Sequence, residues 1–324
     1  MHTLPQLLAR IADYAAANPF PAAPNELYEP CDYMLTLGGK RLRPAFLLMA
    51  CELFSDHIEH ALPAAWAVEL FHNFTLLHDD IMDAAPLRRG QPTVHTRWNT
   101  TTGILSGDVM LIHAYQHIVA TGTPEIVADL IQIFNRVATE VCEGQQYDMN
   151  FETRHDVQLA EYLRMIELKT AVLLGGALEM GARCAGASTA DREHLYHFGR
   201  LAGIAFQIQD DLLDTYGDPA KFGKQVGGDI LQNKKTWLVL KVFEAASPGD
   251  EAELRHWMQT DQDAPGKVAA VRAIFDRNNV PERAAEEKQQ FQNEAFSHLQ
   301  EVSAPEVRKT ILKKTVGDLL ERDS

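Results

Sequence analysis

Two short acidic clusters carry the chemistry that this sequence can perform. His78-Asp79-Asp80-Ile81-Met82-Asp83 and Gln209-Asp210-Asp211-Leu212-Leu213-Asp214 both read DDxxD, and each closes a long apolar stretch of helical periodicity. On a helix, positions i and i+4 share a face, so Asp79 with Asp83, and Asp210 with Asp214, each set two carboxylates side by side. Like charges at that spacing repel, at a cost of about 0.3 kcal/mol on an exposed helix. The C-terminal end of a helix adds a second cost, because the macrodipole disfavours anions there. A cation relieves both. Carboxylate-only oxygen donors suit Mg²⁺, which keeps waters and takes substrate phosphates as further ligands. One DDxxD is an ordinary solvated helix end, whereas two copies, each followed by basic residues, ask for a function.

The basic residues stand where a phosphate ligand would need them. After the first cluster runs Pro86-Leu87-Arg88-Arg89-Gly90-Gln91-Pro92, a turn-forming loop with adjacent guanidinium groups, and Arg binds diphosphate through planar, bidentate hydrogen bonds. After the second come Lys224 in KFGKQVGGD and Lys234-Lys235 in DILQNKKTW. Upstream, Gly38-Gly39-Lys40-Arg41-Leu42-Arg43-Pro44 sets three cations behind a glycine pair. In a chain of formal net charge −15, these groups mark local anion sites. The same charge argues against a general nucleic-acid partner, since phosphate backbones attract basic surfaces.

The elements that must position these residues are helical. Apolar residues recur at helical spacing along nearly the whole chain, and alternating runs of strand type are scarce. A first amphipathic stripe is Leu4, Leu7, Leu8, Ile11 and Tyr14, and longer helices are expected over about 64–84, 103–120, 124–150, 158–185, 190–215 and 228–245. Lys169–Met180 is apolar around most of its circumference, which suits the interior of a large bundle. Breaks fall at Pro19–Pro24, Gly38-Gly39, Ala85–Thr93 and Gly217–Gly228. The more charged tail from about 247 to 324 is expected to form peripheral helices. The fold expected is all-α: one domain over 1–324, with a central cavity walled by long helices and a motif-bearing core at about 38–240. Cys31, Cys51, Cys142 and Cys184 form no CxxC pair, which excludes zinc-ribbon and thioredoxin readings and leaves buried free thiols of a reducing compartment. The N-terminus lacks a basic n-region and a continuous apolar run, and no stretch reaches the roughly 18 apolar residues of a membrane span, so the expected location is cytoplasmic.

The segments GGKRLRP, ELFHNFTLLHDDIMD, LRRGQPTVH, KTAVLL, FQIQDDLLD and GGDILQNKKT together resemble the motifs of the trans-isoprenyl diphosphate synthases (polyprenyl synthetases), in family order over about two-thirds of the chain. The resemblance implies an isoprenoid-synthase helical fold, a homodimer, and condensation of an allylic diphosphate with isopentenyl diphosphate. It implies that Asp79 and Asp83 bind Mg²⁺, with Asp80 in support, and that Asp210 binds a further Mg²⁺, with Asp211 and Asp214 completing that cluster. About three Mg²⁺ ions would serve as Lewis acids at the leaving diphosphate. Arg88, Lys169, Thr170, Gln207, Lys224 and Lys234 match positions around the allylic substrate; Lys40, Arg43, His72 and Arg89 match the site for isopentenyl diphosphate, where Arg41 adds charge. Loss of the diphosphate leaves a carbocation that needs a dry pocket, with backbone carbonyls and dipoles near Lys169-Thr170 and Gln207 to stabilise it. The departing diphosphate can take the final proton, so no side-chain base is required. His78 reads as a helix-packing residue.

Product length is read from the residues before Asp79. Phe74 lies five residues back, a rise of about 7.5 Å along a helix, and Phe71 shares its face one turn further. Rings there would floor the pocket, while Thr75, four back, is small. One aromatic at positions four and five, and no insertion in the motif, resembles geranylgeranyl-type enzymes and points to a C20 product, with C15 as competitor. Two other readings weigh less. Terpene cyclases usually replace the second DDxxD and do not need GGKRLRP, and non-catalytic regulatory subunits tend to lose one acidic motif; this chain keeps all three features.

Overall fold

The computed structural model describes residues 1–217, 226–260 and 266–321. Helix α1 (Leu4–Ala17) opens with a capping box between Thr3 and Gln6 and a proline in its first turn, a sequence signature of helix starts. There follow α2 (Asn25–Thr36), α3 (Leu42–Phe54), α4 (Leu62–Met82), the short α5 (Val94–Arg97), α6 (Thr100–Val119), α7 (Pro124–Thr153), α8 (Leu159–Ile166), α9 (Val172–Cys184) and α10 (Thr189–Tyr216). Beyond them run Gly228–Leu231, Trp237–Ala245, Pro248–Trp257, Lys267–Arg277, Val280–Glu301 and Glu306–Leu320. The chain is all-α, as its periodicity requires. The sheet among the described residues is a two-stranded hairpin, β1 (Leu87–Arg88) against β2 (Gln91–Pro92).

Four local expectations change. The helix expected over 158–185 is interrupted by a single π turn at Glu167–Ala171, which separates α8 from α9. The helix expected over 228–245 is two, because Asn233 takes a left-handed φ of 57° and Thr236 then caps Trp237–Ala245, its side chain accepting from the Val239 amide. The tail is not merely peripheral, since Leu254, Val271, Ile274, Phe275, Val280 and Ala284 are buried in a core cluster with Trp237 and Tyr162. Of the four cysteines, Cys31, Cys51 and Cys184 are buried free thiols, but Cys142 is exposed.

The described chain forms two compact units. One comprises 1–137, 176–196 and 302–312; the other comprises the described residues of 138–175, 197–301 and 313–321. In the first unit, α3 and the first half of α4 are almost wholly buried, from Ala45 to Leu53 and from Ala64 to Phe71. That accounts for their apolar character on every side. Asp191 fastens 302–312 to the start of α10: its carboxylate accepts from the Ser303 amide (2.7 Å), the Ser303 hydroxyl (2.8 Å) and the Ser188 hydroxyl (2.7 Å). The second unit centres on Trp237, Ile274 and Phe275, all fully buried. No helix among the described residues is long and apolar enough to cross a membrane.

Candidate active site

The first acidic motif occupies the last turn of α4, with Asp83 as its C-cap and the Asp83 amide donating to the Asp79 carbonyl (2.9 Å). The four carboxylate positions that the spacing placed on shared faces therefore begin here as a side-by-side pair, Asp79 and Asp83. Asp80 has a different task. It is buried, and Arg88 grips it: Nε lies 2.9 and 2.8 Å from its two oxygens and one terminal nitrogen lies 2.8 Å from Oδ1, while the same guanidinium stands 3.6 Å from Asp79. Burial pushes the Asp80 carboxyl up from its ordinary range, and the Arg88 hydrogen bonds oppose that shift.

Arg88 reaches Asp80 because the loop is a tight hairpin. Arg89 and Gly90 have φ of 53° and 76°, the two positive values that a two-residue type I′ turn demands. The turn sends the Arg89 guanidinium against Gly39, where a Cβ would lie 3.0 Å from both terminal nitrogens; with φ of 141°, position 39 needs glycine for its backbone as well. The glycine pair thus makes room for a cation as well as for a turn.

Arg43, at the start of α3, lies 3.1 Å from Nε2 of His72 through one terminal nitrogen. A guanidinium can only donate, so Nε2 accepts and the His72 proton sits on Nδ1. Burial, together with Arg43, Arg89 and Arg88, holds the His72 pKa well below its ordinary value, so the ring stays neutral. The Arg43 Nε is buried and has no acceptor among the described residues. Arg41, in a left-handed conformation, places its guanidinium 5.9 Å from the Trp66 ring. Lys40 is exposed. Beneath this group sits Glu69, a buried carboxylate that the sequence reading passed over. It accepts from Asn73 Nδ2 (3.1 Å), and its charge supports protonation of Arg43 and Arg89. A lone Glu inside the apolar run of α4 was the signal for it.

In the second unit, Asp210 and Asp214 lie on the last turns of α10, again four apart. Asp211 is turned inward: Oδ2 accepts from the Tyr162 hydroxyl (2.5 Å) and from the Trp237 amide (3.0 Å), and the Gln207 side chain adds a third donor. Burial pushes its pKa up to about 7 against those donors. Asp214 Oδ2 accepts from the Asp229 amide (3.0 Å), which ties the motif to the first turn of the helix Gly228–Leu231. Lys234 pairs with Asp229 (3.2 Å), and Lys235 donates to the Phe151 carbonyl at the end of α7 (2.5 Å). Lys224 lies outside the described residues. Lys169 and Thr170 ride on the π turn, where Lys169 Nζ meets Asp148 Oδ2 at 2.5 Å. Asp148 is a second residue that the sequence reading missed; it sits one turn beyond Gly144, a glycine inside an otherwise regular helix.

The donor set fits Mg²⁺. Asp79 with Asp83, and Asp210 with Asp214, are carboxylate pairs, and no group of three or more His, Cys, Asp and Glu among the described residues could hold a metal by itself. Mg²⁺ is commonly held by one or two carboxylates, with waters and substrate phosphates filling the rest of its shell.

For product length, Phe71 is 1% exposed and packed against Phe134, and Phe74 is half-buried beside it. The Thr75 hydroxyl donates back to the His72 carbonyl (2.8 Å) and is satisfied within its own helix.

A polyprenyl synthetase family model matches residues 24–275. The chain is 45% identical over 222 residues to a geranylgeranyl diphosphate synthase of Methanosarcina mazei, covering 68% of each chain. It is 38% identical over 261 residues to a short chain isoprenyl diphosphate synthase of Methanothermobacter thermautotrophicus, covering 81% of this chain and 80% of that one. A crystal structure of a geranylgeranyl pyrophosphate synthase superposes with a TM-score of 0.95 at 43% identity, over 100% of both chains.

Proposed function

From the premise that this chain belongs to the polyprenyl synthetase family, we propose that it condenses an allylic diphosphate with isopentenyl diphosphate and releases diphosphate, with geranylgeranyl diphosphate as its main product. The observation that carries the reading is the recurrence of one arrangement, an acidic pair on a helix end with a fastened cation near it: Arg88 at Asp79/Asp83, and at Asp210/Asp214 Lys234, paired with the Asp229 whose amide donates to Asp214. Bound Mg²⁺ would supply Lewis-acid stabilisation of the leaving diphosphate. The chain's own groups do the rest. Asp79 with Asp83, and Asp210 with Asp214, would hold Mg²⁺; Arg88, fixed on Asp80, and Lys169 would stabilise charge on the allylic diphosphate, with Lys224 and Lys234 in support. Arg43, through its unmatched Nε, and Arg89, seated on Gly39, take the diphosphate of isopentenyl diphosphate, and neutral His72 keeps Arg43 aimed. Lys40 adds exposed charge to that set. Thr170, Gln207 and the backbone carbonyls near Lys169-Thr170 would present dipoles to the cation without attacking it.

The test is direct. Purified protein with Mg²⁺, isopentenyl diphosphate and radiolabelled farnesyl diphosphate should yield geranylgeranyl diphosphate, and EDTA should abolish the product. Recovery of unextended farnesyl diphosphate alongside extension of dimethylallyl or geranyl primers would shift the product to C15. No incorporation from any primer would remove the reading.

A second copy of the chain is the partner that the surface favours. Leu105, Ile112 and Val119 are 54%, 56% and 58% exposed. They recur every seven residues along α6, so they form one apolar stripe, the pattern of a helix seam. Sedimentation velocity should show a dimer that Ile112→Asp dissociates; a monomeric wild-type protein would reject the interface.

A further inference from the structure

We propose that His78 sets product length as a positioning residue: its imidazole, keyed into α6 at Gly107, holds the Phe74 ring in place as the floor of the allylic tail pocket. The inference deepens the reading of Phe74 as that floor and rests on it.

Phe71, Phe74 and His78 follow at i, i+3 and i+7 and so share one stripe of α4. With Phe134 of α7 they form an unbroken column of rings. Phe134 and Phe71 have centroids 5.1 Å apart at 72°, Phe71 and Phe74 are 5.6 Å apart at 47°, and Phe74 and His78 are 4.8 Å apart at 66°. These are edge-to-face and tilted contacts, the arrangements that ring quadrupoles favour. One end of the column, Phe134 and Phe71, is buried to 1% exposure and cannot shift without opening the core. The other end is His78, next in sequence to Asp79.

His78 is fixed on its far side by α6. Its Nε2 lies 3.1 Å from the Ile104 carbonyl, and because a carbonyl only accepts, Nε2 carries the hydrogen. The ring occupies the notch left by Gly107, where a Cβ would stand 2.3 Å from Nε2 and 2.5 Å from Cδ2. The imidazole is therefore gripped between the α6 backbone and the Phe74 ring. Phe74 is only half-buried and turns about two torsions, so this neighbour decides where its ring rests. Removing the imidazole leaves space beside Phe74 on its α6 side, and the ring, no longer held, can turn toward α6 and out of the path of the tail. The floor then opens. His78 acts through Phe74 and touches no reacting atom.

The experiment compares wild type, Phe74→Ala, His78→Ala, His78→Phe and the double variant Phe74→Ala/His78→Ala, each with Mg²⁺, isopentenyl diphosphate and a farnesyl primer. Products are separated by chain length and melting temperatures are recorded. His78→Ala should raise the share of products longer than C20 at least fivefold, and His78→Phe, which keeps a ring against Phe74, should hold the product at C20. The double variant should match Phe74→Ala within twofold, because His78 has nothing left to position. An unchanged distribution in His78→Ala, a lengthened product in His78→Phe, or a double variant that lengthens well beyond Phe74→Ala would each overturn the proposal. A silent Phe74→Ala would remove the floor reading itself, whereas lengthening in Phe74→Ala with a silent His78→Ala would remove only the role of His78.

Discussion

Replacing Asp79 by alanine should lower turnover about a thousandfold or more while leaving the melting temperature nearly unchanged. The rate loss follows from what the carboxylate is for: groups that hold charge at a developing leaving anion are worth factors of this size. Asp79 stands in the last turn of α4, where the helix dipole disfavours an anion, and four residues before a second carboxylate. Deleting it relieves both repulsions, each worth a few tenths of a kcal/mol, and gives up the 3.6 Å contact with the Arg88 guanidinium, an effect of similar size and opposite sign, so stability changes little. Asp80→Ala should behave differently. Asp80 is 2% exposed and carries the Arg88 guanidinium, so its loss strands a cation and frees the hairpin, and both stability and turnover should fall. Steady-state kinetics with thermal melts of the two variants separates the roles. Near-normal turnover in Asp79→Ala would contradict the metal-holding role.

The contrast between neighbouring aspartates shows where sequence reasoning reached and where it stopped. Periodicity alone gave the i, i+4 pairing of Asp79 with Asp83 and of Asp210 with Asp214, because the helix repeat is local and both motifs lie on helices whose apolar residues specify them. It gave the helical class for the same reason. The inward turn of Asp80 and Asp211 was not legible, because it depends on partners far along the chain: Arg88 for one, and Tyr162 and the Trp237 amide for the other. Glu69 and Asp148 were missed likewise. Neither belongs to a motif, and each gains meaning only when folding brings Arg43 or Lys169 beside it. The π turn was beyond periodicity altogether, since one extra residue in a single turn leaves the apolar pattern of 159–184 nearly unchanged.

That π turn carries the second large effect, at a glycine with no side chain to take part in the chemistry. A Cβ added at Gly144 on α7 would stand 2.2 Å from the Lys169 nitrogen, 2.6 Å from its Cα and 2.7 Å from the Leu168 carbonyl carbon. All three are backbone atoms of the π turn, so no side chain can swing away to make room. The turn itself must move, and Lys169 with Thr170 moves with it, while Asp148, one helical turn along from Gly144, keeps its place on α7. Misplacement by about 1 Å of groups that orient a reaction costs on the order of a hundredfold in rate. Gly144→Ala should therefore lower kcat about a hundredfold, along with some loss of melting temperature. Ile274→Ala supplies the control. Ile274 is fully buried in the core cluster of the same unit, and truncation there costs about 2–5 kcal/mol through cavity formation, with the π turn untouched. At comparable thermal destabilisation, Gly144→Ala should be the far slower enzyme. Equal rates would mean that the turn tolerates displacement, and Lys169 would lose its place in the catalytic geometry.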